Sequence, residues 1–211
     1  AGIPIAGGHT IDSVEPIYGL VVMGLVHPKK LKRNADAKPG DKLILGKPLG
    51  VGILSAALKK GALDAAGYDA MIASTTKLNT PGKALADIAG VHALTDVTGF
   101  ALMGHLLEMC EGSGVEAELD FAAVPVLEPV AGYAAMGCVP GGTARNFASY
   151  GHKLGELGPQ QQSVLCDPQT SGGLLVAVRP DAAAELELVL GEAGIAPHCI
   201  GRLLPRTDGP W

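Results

Sequence analysis

Short apolar runs alternate with helical stretches after about residue 40, and this alternation limits the fold more than any other feature of the sequence. Five runs with the composition of strands occur at 42–45, 92–95, 115–120, 174–178 and 198–204. Five stretches with helical spacing occur at 52–60, 68–78, 83–89, 100–109 and 181–193. Interspersed elements of both kinds predict an α+β fold, which we expect to have two layers of α/β type and a mixed sheet.

The first 36 residues have a different character. They open on a glycine-rich loop, pass a turn-like stretch and reach the run YGLVVMGLV at 18–26, which predicts one strand. One strand and one loop cannot enclose a core, so this segment needs partners that it does not supply itself. We therefore expect a boundary near residues 36–39, with the remnant of one domain at 1–36 and a second domain at 37–211.

Charge and composition argue against several classes of protein. The net charge is −5, so bulk electrostatic attraction does not favour a nucleic-acid partner. The longest apolar run is much shorter than the roughly 20 residues of a membrane helix, and the N-terminus lacks the regions of a signal peptide. The cysteines form no CxxC pair, so we expect free thiols of a cytoplasmic protein at Cys110, Cys138, Cys166 and Cys199.

Several glycine-containing stretches leave two interpretations open. The GxG at Gly50–Gly52 could hold a phosphate on its amides, but close packing of helix and strand explains these glycines more simply. In PGGTARNFASYGH we expect Thr143 to cap a helix and Arg145 to lie in its first turn. A cation is disfavoured there, so Arg145 is expected to meet an anion, either a protein carboxylate or a bound phosphate.

Asp96 is the candidate metal ligand. In LTDVTGF it follows a short apolar strand and precedes a helix, and on local pattern alone Asp96 or Thr98 would cap that helix. The alternative is a Mg²⁺ ligand, because magnesium is commonly held by one or two carboxylates and nucleotide phosphates. His105, in an apolar helix, is expected to be a hydrogen-bonded structural residue. No nucleophile or catalytic triad is visible in the sequence.

The loop DPQTSGG at 167–173 carries more polar side chains than a turn requires. A turn explains its proline and glycines, and local hydrogen bonds explain a hydroxyl group. Polar residues concentrated beside a buried strand favour a functional site over a plain turn.

Five stretches together resemble selenophosphate synthetase (selenide, water dikinase), a family of the aminoimidazole-ribotide-synthetase superfamily. In chain order they are AGGHTID, KLILGKPLGVGIL, LTDVTGFALMGHLLEMC, VPGGTARNFASYGH and LCDPQTSGGLL. The resemblance implies an N-terminal ATP-binding domain that dimerises and a C-terminal α+β domain, to which most of this chain would correspond. It also implies a cytoplasmic homodimer that uses Mg²⁺ and converts ATP, selenide and water to selenophosphate, AMP and phosphate.

The resemblance assigns candidate residues one by one. Asp96 matches a magnesium ligand, and Gly7, Gly8, His9 and Thr10 match a loop that contacts ATP. The family's catalytic cysteine or selenocysteine, its lysine and its other metal-binding aspartates have no counterpart here, so we expect a C-terminal fragment that is inactive alone. The alternatives are an inert scaffold or nucleotide-binding module, or another ATP-dependent enzyme of the superfamily. A nicotinamide-dependent dehydrogenase would rest on the imperfect GxG alone.

Overall fold

A computed structural model of the chain describes residues 2–209 and residue 211. The described residues divide into two units that meet in the sequence at Leu31 and Lys32. In the N-terminal unit the only helical or strand element among the described residues is a single 3₁₀ turn, Pro28–Lys30. The side chain of His27 caps this turn by accepting a hydrogen bond from the Lys29 amide. The predicted strand at 18–26 is wrong: the segment is exposed and pairs with no described residue, and apolar composition alone cannot make a strand without a hydrogen-bonding neighbour.

The C-terminal unit is built on a five-stranded sheet. Its strands are β1 (Lys42–Leu45), β2 (Val91–Asp96), β3 (Val115–Leu119), β4 (Leu174–Val178) and β5 (His198–Pro205). They lie in the order β2-β4-β1-β5-β3, and each neighbouring pair is antiparallel. The five strands predicted for this part of the chain are thus confirmed, whereas the expectation of a mixed sheet is wrong.

Eight helices accompany the sheet in the described part of this unit. They are α1 (Val51–Lys59), α2 (Ala65–Thr76), α3 (Gly82–Leu85), α4 (Ala101–Ser113), α5 (Val130–Ala135), α6 (Gly141–Tyr150), α7 (Pro159–Leu165) and α8 (Ala183–Glu192). α3 is shorter than predicted, and α5 and α7 were not expected as helices. No helix among the described residues is long and apolar enough to cross a membrane.

The core lies on both faces of the sheet, because successive side chains of a strand point to opposite sides. On one face, apolar side chains of β1, β2 and β4 pack against α4 and α7. On the other face, the alternate side chains of the same strands pack against α3 and α8. All five residues of β4 are buried. The α+β class is confirmed, but helices cover both faces of these strands, so the layers number three rather than the expected two.

Two polar anchors hold α2 against this core. At its start, Asp64 accepts a hydrogen bond from the Gly67 amide at 2.7 Å, and the Asp64 amide in turn donates to the Tyr133 hydroxyl at 3.0 Å. At its end, the buried ammonium group of Lys47 donates to the carbonyls of Ser74 and Lys77. Burial lowers the pKa of Lys47. A cation at this position suits the negative end of the helix dipole.

Candidate functional site

Asp96 is the last residue of β2, and its side chain is exposed. The prediction that Asp96 or Thr98 caps α4 is wrong, because no side chain caps that helix. The Thr98 hydroxyl instead lies 3.0 Å from Nε2 of His105. Among the described residues, no donor hydrogen bonds to the Asp96 carboxylate and no Lys, Arg or His forms an ion pair with it. Its charge is therefore open to an external cation.

The β2–α4 loop, residues 97–100, continues the pairing of β2 with β4 beyond the strands. The Val97 amide donates to the Gly173 carbonyl at 2.9 Å, and the Gln169 amide donates to the Thr98 carbonyl at 3.0 Å. Gly172 packs so closely that a Cβ there would overlap the Val97 carbonyl oxygen. The segment that precedes β4 thus sets the backbone position of the residue immediately after Asp96.

Two further carbonyls of this loop accept hydrogen bonds from α6. Nδ2 of Asn146 donates to the Gly99 carbonyl at 2.9 Å. The Tyr150 hydroxyl donates to the Phe100 carbonyl, also at 2.9 Å. These contacts join the LTDVTGF and GGTARNFASY stretches, which are about 45 residues apart in the sequence.

Backbone strain occurs at two positions beside these contacts. Ala101, the first residue of α4, has φ of 66°, and Ser171 has φ of 50°. Residues with a Cβ rarely adopt positive φ, and such strain persists only where surrounding contacts impose it. Both positions adjoin the paired loops at the Asp96 end of β2 and β4, which marks this end of the sheet as the candidate site.

His105 supports the loop as a neutral side chain. It is buried, and burial lowers its pKa, while Asp96 and Glu108 act in the opposite sense. The contact of its Nε2 with Thr98 orients the hydroxyl group, so the expectation of a hydrogen-bonded structural histidine is confirmed.

The 167–173 loop uses its two buried polar side chains to cap α1. Oδ2 of Asp167 accepts from the Gly52 amide at 3.0 Å, and Oε1 of Gln169 accepts from the Gly50 and Val51 amides at 3.2 Å. The amides of the GxG stretch are therefore occupied by protein groups, and the phosphate interpretation of that stretch is wrong. Close packing explains these glycines instead, but the partner is not a strand as predicted: a Cβ at Gly52 would overlap Asp167 of the 167–173 loop, and one at Gly50 would overlap Val130 of α5.

Among the carboxyl groups of the unit, that of Asp167 has the pKa that is shifted most strongly from its ordinary value. Its carboxyl group is fully buried, and burial raises its pKa to about 7 although Gln169 and Gly52 donate hydrogen bonds that act in the opposite sense. Its Oδ1 has no hydrogen-bond partner among the described residues. The exposed side chains of the loop are those of Thr170 and Ser171. The loop is thus structural in its inner half, and the predicted site role stays open only for its outer half.

The start of α6 differs from the prediction. The helix begins at Gly141 after Pro140, so Thr143 is not its cap, and the exposed Arg145 lies beyond the first turn. Thr143 is buried, and its hydroxyl has no partner among the described residues. No carboxylate of the described chain pairs with Arg145, so that alternative is wrong. A phosphate partner for Arg145 stays a prediction.

The predicted ATP-contacting residues belong to the N-terminal unit. Gly7, Gly8, His9 and Thr10 are exposed and lie outside helices and strands, and a Cβ at either glycine would meet nothing within 4 Å. The structure of this unit therefore gives no internal reason for these glycines. Their contact with a nucleotide stays a prediction.

Asp96 fits magnesium as a single ligand. Among the described residues no group of three or more His, Cys, Asp or Glu could enclose a metal ion. Magnesium, however, usually keeps several waters and takes only one or two carboxylates together with substrate phosphates. An exposed carboxylate without a partner, on a backbone fixed by hydrogen bonds, suits a shared site of that kind.

The residues that position this loop were not predicted individually as site residues, although two of them lie in the 167–173 loop, for which a functional site was predicted. Four such residues lie within stretches that carry the family resemblance: Asn146, Tyr150, Gln169 and Gly172. That resemblance is the one sequence feature that indicates a functional role for all four of them. Their individual roles depend on partners between 47 and 75 residues away in sequence, which local patterns do not reveal.

Residues 38–209 match the family model described as AIR synthase related protein, C-terminal domain. The chain therefore belongs to the AIR synthase related proteins, through their C-terminal domain. The solved structures of E. coli HypE and of thiamine-monophosphate kinase from Stenotrophomonas maltophilia K279a share this fold. HypE has a TM-score of 0.63 at 20% identity over 83% of this chain and 47% of its own. The kinase has a TM-score of 0.59 at 19% identity over 85% of this chain and 53% of its own.

The resemblance to selenophosphate synthetase is confirmed among curated relatives. A protein of Pseudomonas straminea named selenide, water dikinase is 57% identical over 96% of this chain and 58% of the relative. One of Burkholderia pseudomallei with the same name is 60% identical over 88% of this chain and 53% of the relative. The chain thus spans little more than half the length of these relatives.

We predict that Gly172→Ala loosens the contact between the two loops. The added methyl group would overlap the Val97 carbonyl oxygen, and relief requires the backbone to move, at a cost of about 1–3 kcal/mol in the free energy of unfolding. Chemical denaturation measures this cost. Gly155→Ala is the matched control, because a Cβ there meets nothing within 4 Å. Equal stability of the two variants would contradict the close approach.

We predict that Asp167 makes stability depend on pH. Because its pKa in the folded chain is about 7, above the ordinary value of 3.8, the folded state binds the proton more tightly and the free energy of unfolding falls as pH rises between these values. Asp167→Asn removes this dependence. Relative to the variant, the wild type is expected to lose about 2–3 kcal/mol between about pH 5 and about pH 8.

Denaturation at both pH values tests this expectation. Asp181→Asn is the control, because Arg179 lowers the pKa of that exposed carboxyl group and its titration is complete below the tested range. A parallel pH dependence in the wild type and Asp167→Asn would show that Asp167 titrates normally.

Proposed function

We propose that the full-length protein makes selenophosphate, AMP and phosphate from ATP, selenide and water, and that this chain contributes one part of its active site. The names of relatives at 57% and 60% identity support the reaction. The observation that carries the role of this chain is the exposed, unpaired carboxylate of Asp96 beside a loop whose carbonyls at residues 98–100 accept hydrogen bonds from other elements.

In this proposal Asp96 supplies one anionic oxygen to a magnesium ion that also binds ATP phosphates. Bound magnesium neutralises phosphate charge, which together with positioning is most of what phosphoryl transfer requires of a protein. The chain's own task is to hold that carboxylate still and to leave its charge uncompensated. Gly7, Gly8, His9 and Thr10 are proposed to contact the nucleotide, with support from the resemblance of AGGHTID to the family's loop.

The domain division and the remaining properties are proposed on the same resemblance. Residues 1–36 would belong to the ATP-binding, dimerising domain and residues 37–211 to the C-terminal domain, in a cytoplasmic homodimer. The catalytic cysteine or selenocysteine and the lysine would come from the part of the full-length protein that this chain does not include. This chain alone is therefore proposed to be inactive.

A second candidate is a scaffold or nucleotide-binding module without catalysis, or another ATP-dependent reaction of the superfamily. For the isolated chain, the absence of a group of three metal-ligating side chains from the described residues favours the scaffold or nucleotide-binding module. Each of these alternatives differs from our proposal in one measurable respect, which is whether the full-length protein consumes ATP in a selenide-dependent way.

We predict that Asp96→Ala lowers selenide-dependent AMP formation by the full-length protein at least about tenfold, because a lost anionic ligand weakens charge neutralisation at the phosphates. Asp69→Ala is the matched control: this aspartate is also exposed but lies on α2. The 211-residue chain alone is expected to give no turnover. Undiminished activity of Asp96→Ala would remove Asp96 from the mechanism, and AMP formation independent of selenide would favour another reaction of the superfamily.

A further inference from the structure

Helix α6 presents two donors from one face to consecutive carbonyls of the β2–α4 loop. Asn146 and Tyr150 are four residues apart, so their side chains lie one above the other on the helix. Nδ2 of Asn146 reaches the Gly99 carbonyl, and the Tyr150 hydroxyl reaches the Phe100 carbonyl, each at 2.9 Å. Packing of α6 against the core alone would not require this match of two donors to two successive acceptors.

Asn146 also connects this loop to the segment before β4. Its Nδ2 donates a second hydrogen bond to the Cys166 carbonyl at 3.2 Å, next to Asp167. Both hydrogens of the amide nitrogen are therefore used. The side chain is buried, so these bonds form away from bulk water, where they are stronger and where their loss costs more.

Tyr150 acts as a permanent donor. Its side chain is buried, and burial raises the pKa of the phenol above its ordinary value, so the hydroxyl keeps its proton under all physiological conditions. The carbonyl that it holds belongs to Phe100, immediately before Ala101 with its positive φ. The Tyr150 contact thus holds the residue that directly precedes the strained start of α4.

We propose that Asn146 and Tyr150 are positioning residues: by holding the Gly99 and Phe100 carbonyls they fix the β2–α4 loop, and through it the Asp96 carboxylate, for binding a magnesium–phosphate group. The inference rests on the proposed function, and it adds two residues that touch neither ATP nor selenide. It gives the GGTARNFASY stretch a role that its sequence alone did not reveal.

Tyr150→Phe is the sharpest test, because it removes one hydroxyl group and leaves the buried ring in place. Tyr133→Phe is the matched control: its buried hydroxyl also hydrogen bonds to the backbone, at the Asp64 amide, but it lies in the cluster of α1, α2 and α5. In the full-length protein we expect Tyr150→Phe to raise the Mg²⁺ concentration for half-maximal activity about threefold to tenfold, the equivalent of one hydrogen bond. Tyr133→Phe is expected to leave it unchanged.

A second measurement does not depend on turnover. Hydrogen exchange of peptides that cover residues 97–101 is expected to become about threefold to tenfold faster in Tyr150→Phe and to stay at the wild-type rate in Tyr133→Phe. Asn146→Ala, which deletes the donor to two carbonyls, is expected to increase exchange further. If that variant does not fold, Tyr150→Phe still decides the question.

The outcomes separate this inference from the proposed function. Wild-type activity with unchanged exchange in Tyr150→Phe would overturn the inference and leave the function standing. Faster exchange with an unchanged Mg²⁺ requirement would show that the contact is structural only, and would also overturn it. A wild-type full-length protein without selenide-dependent AMP formation would overturn the proposed function, and this inference with it.

Discussion

The antiparallel pairing of β2 with β4 is the constraint on which the candidate site depends. In this register Asp96, the last residue of β2, lies opposite Leu174, the first residue of β4. The loop that follows β2 and the loop that precedes β4 must therefore lie side by side, whatever their sequences. Their direct contacts, from the Val97 amide to Gly173 and from the Gln169 amide to Thr98, extend the ladder past the strand ends. The pairing of β2 with β4 therefore determines the position of Asp96.

The 167–173 loop can serve as a support because its polar groups face inward and are used. Asp167 and Gln169 take up amides at the start of α1, and the Lys47 ammonium, which also closes α2, binds the Ser171 carbonyl. Burying polar groups is costly unless they find partners, and here most of them find backbone partners in other elements. The loop consequently forms hydrogen bonds with the start of α1, with the Lys47 ammonium that also binds the end of α2, and with the β2–α4 loop. One oxygen of Asp167 has no hydrogen-bond partner among the described residues, and burial raises the pKa of this carboxyl group to about 7.

The sequence predicted the sheet better than the site, and the reason is the range of the interactions. The short apolar runs that form β1 and β4 are local properties, so their strands could be placed almost to the residue. The same reasoning failed at 18–26, because strand formation also needs a partner. Capping by Asp96 or Thr98 failed because distant donors hold that turn, and α5 and α7 were missed because six and seven residues carry little periodicity. The convergence of three motifs on one loop required the fold.

The chemistry of the supporting groups explains how one carboxylate can be both fixed and available. The groups that hold the β2–α4 loop are an amide, a phenol, peptide N–H groups and an imidazole whose pKa is lowered by burial, so none of them brings a full positive charge to Asp96. An arginine or lysine in their place would position the loop equally well, but it would pair with the carboxylate and compete with an incoming cation. Neutral donors separate the two tasks: the backbone is held by hydrogen bonds, and the negative charge at the end of β2 remains for the ligand.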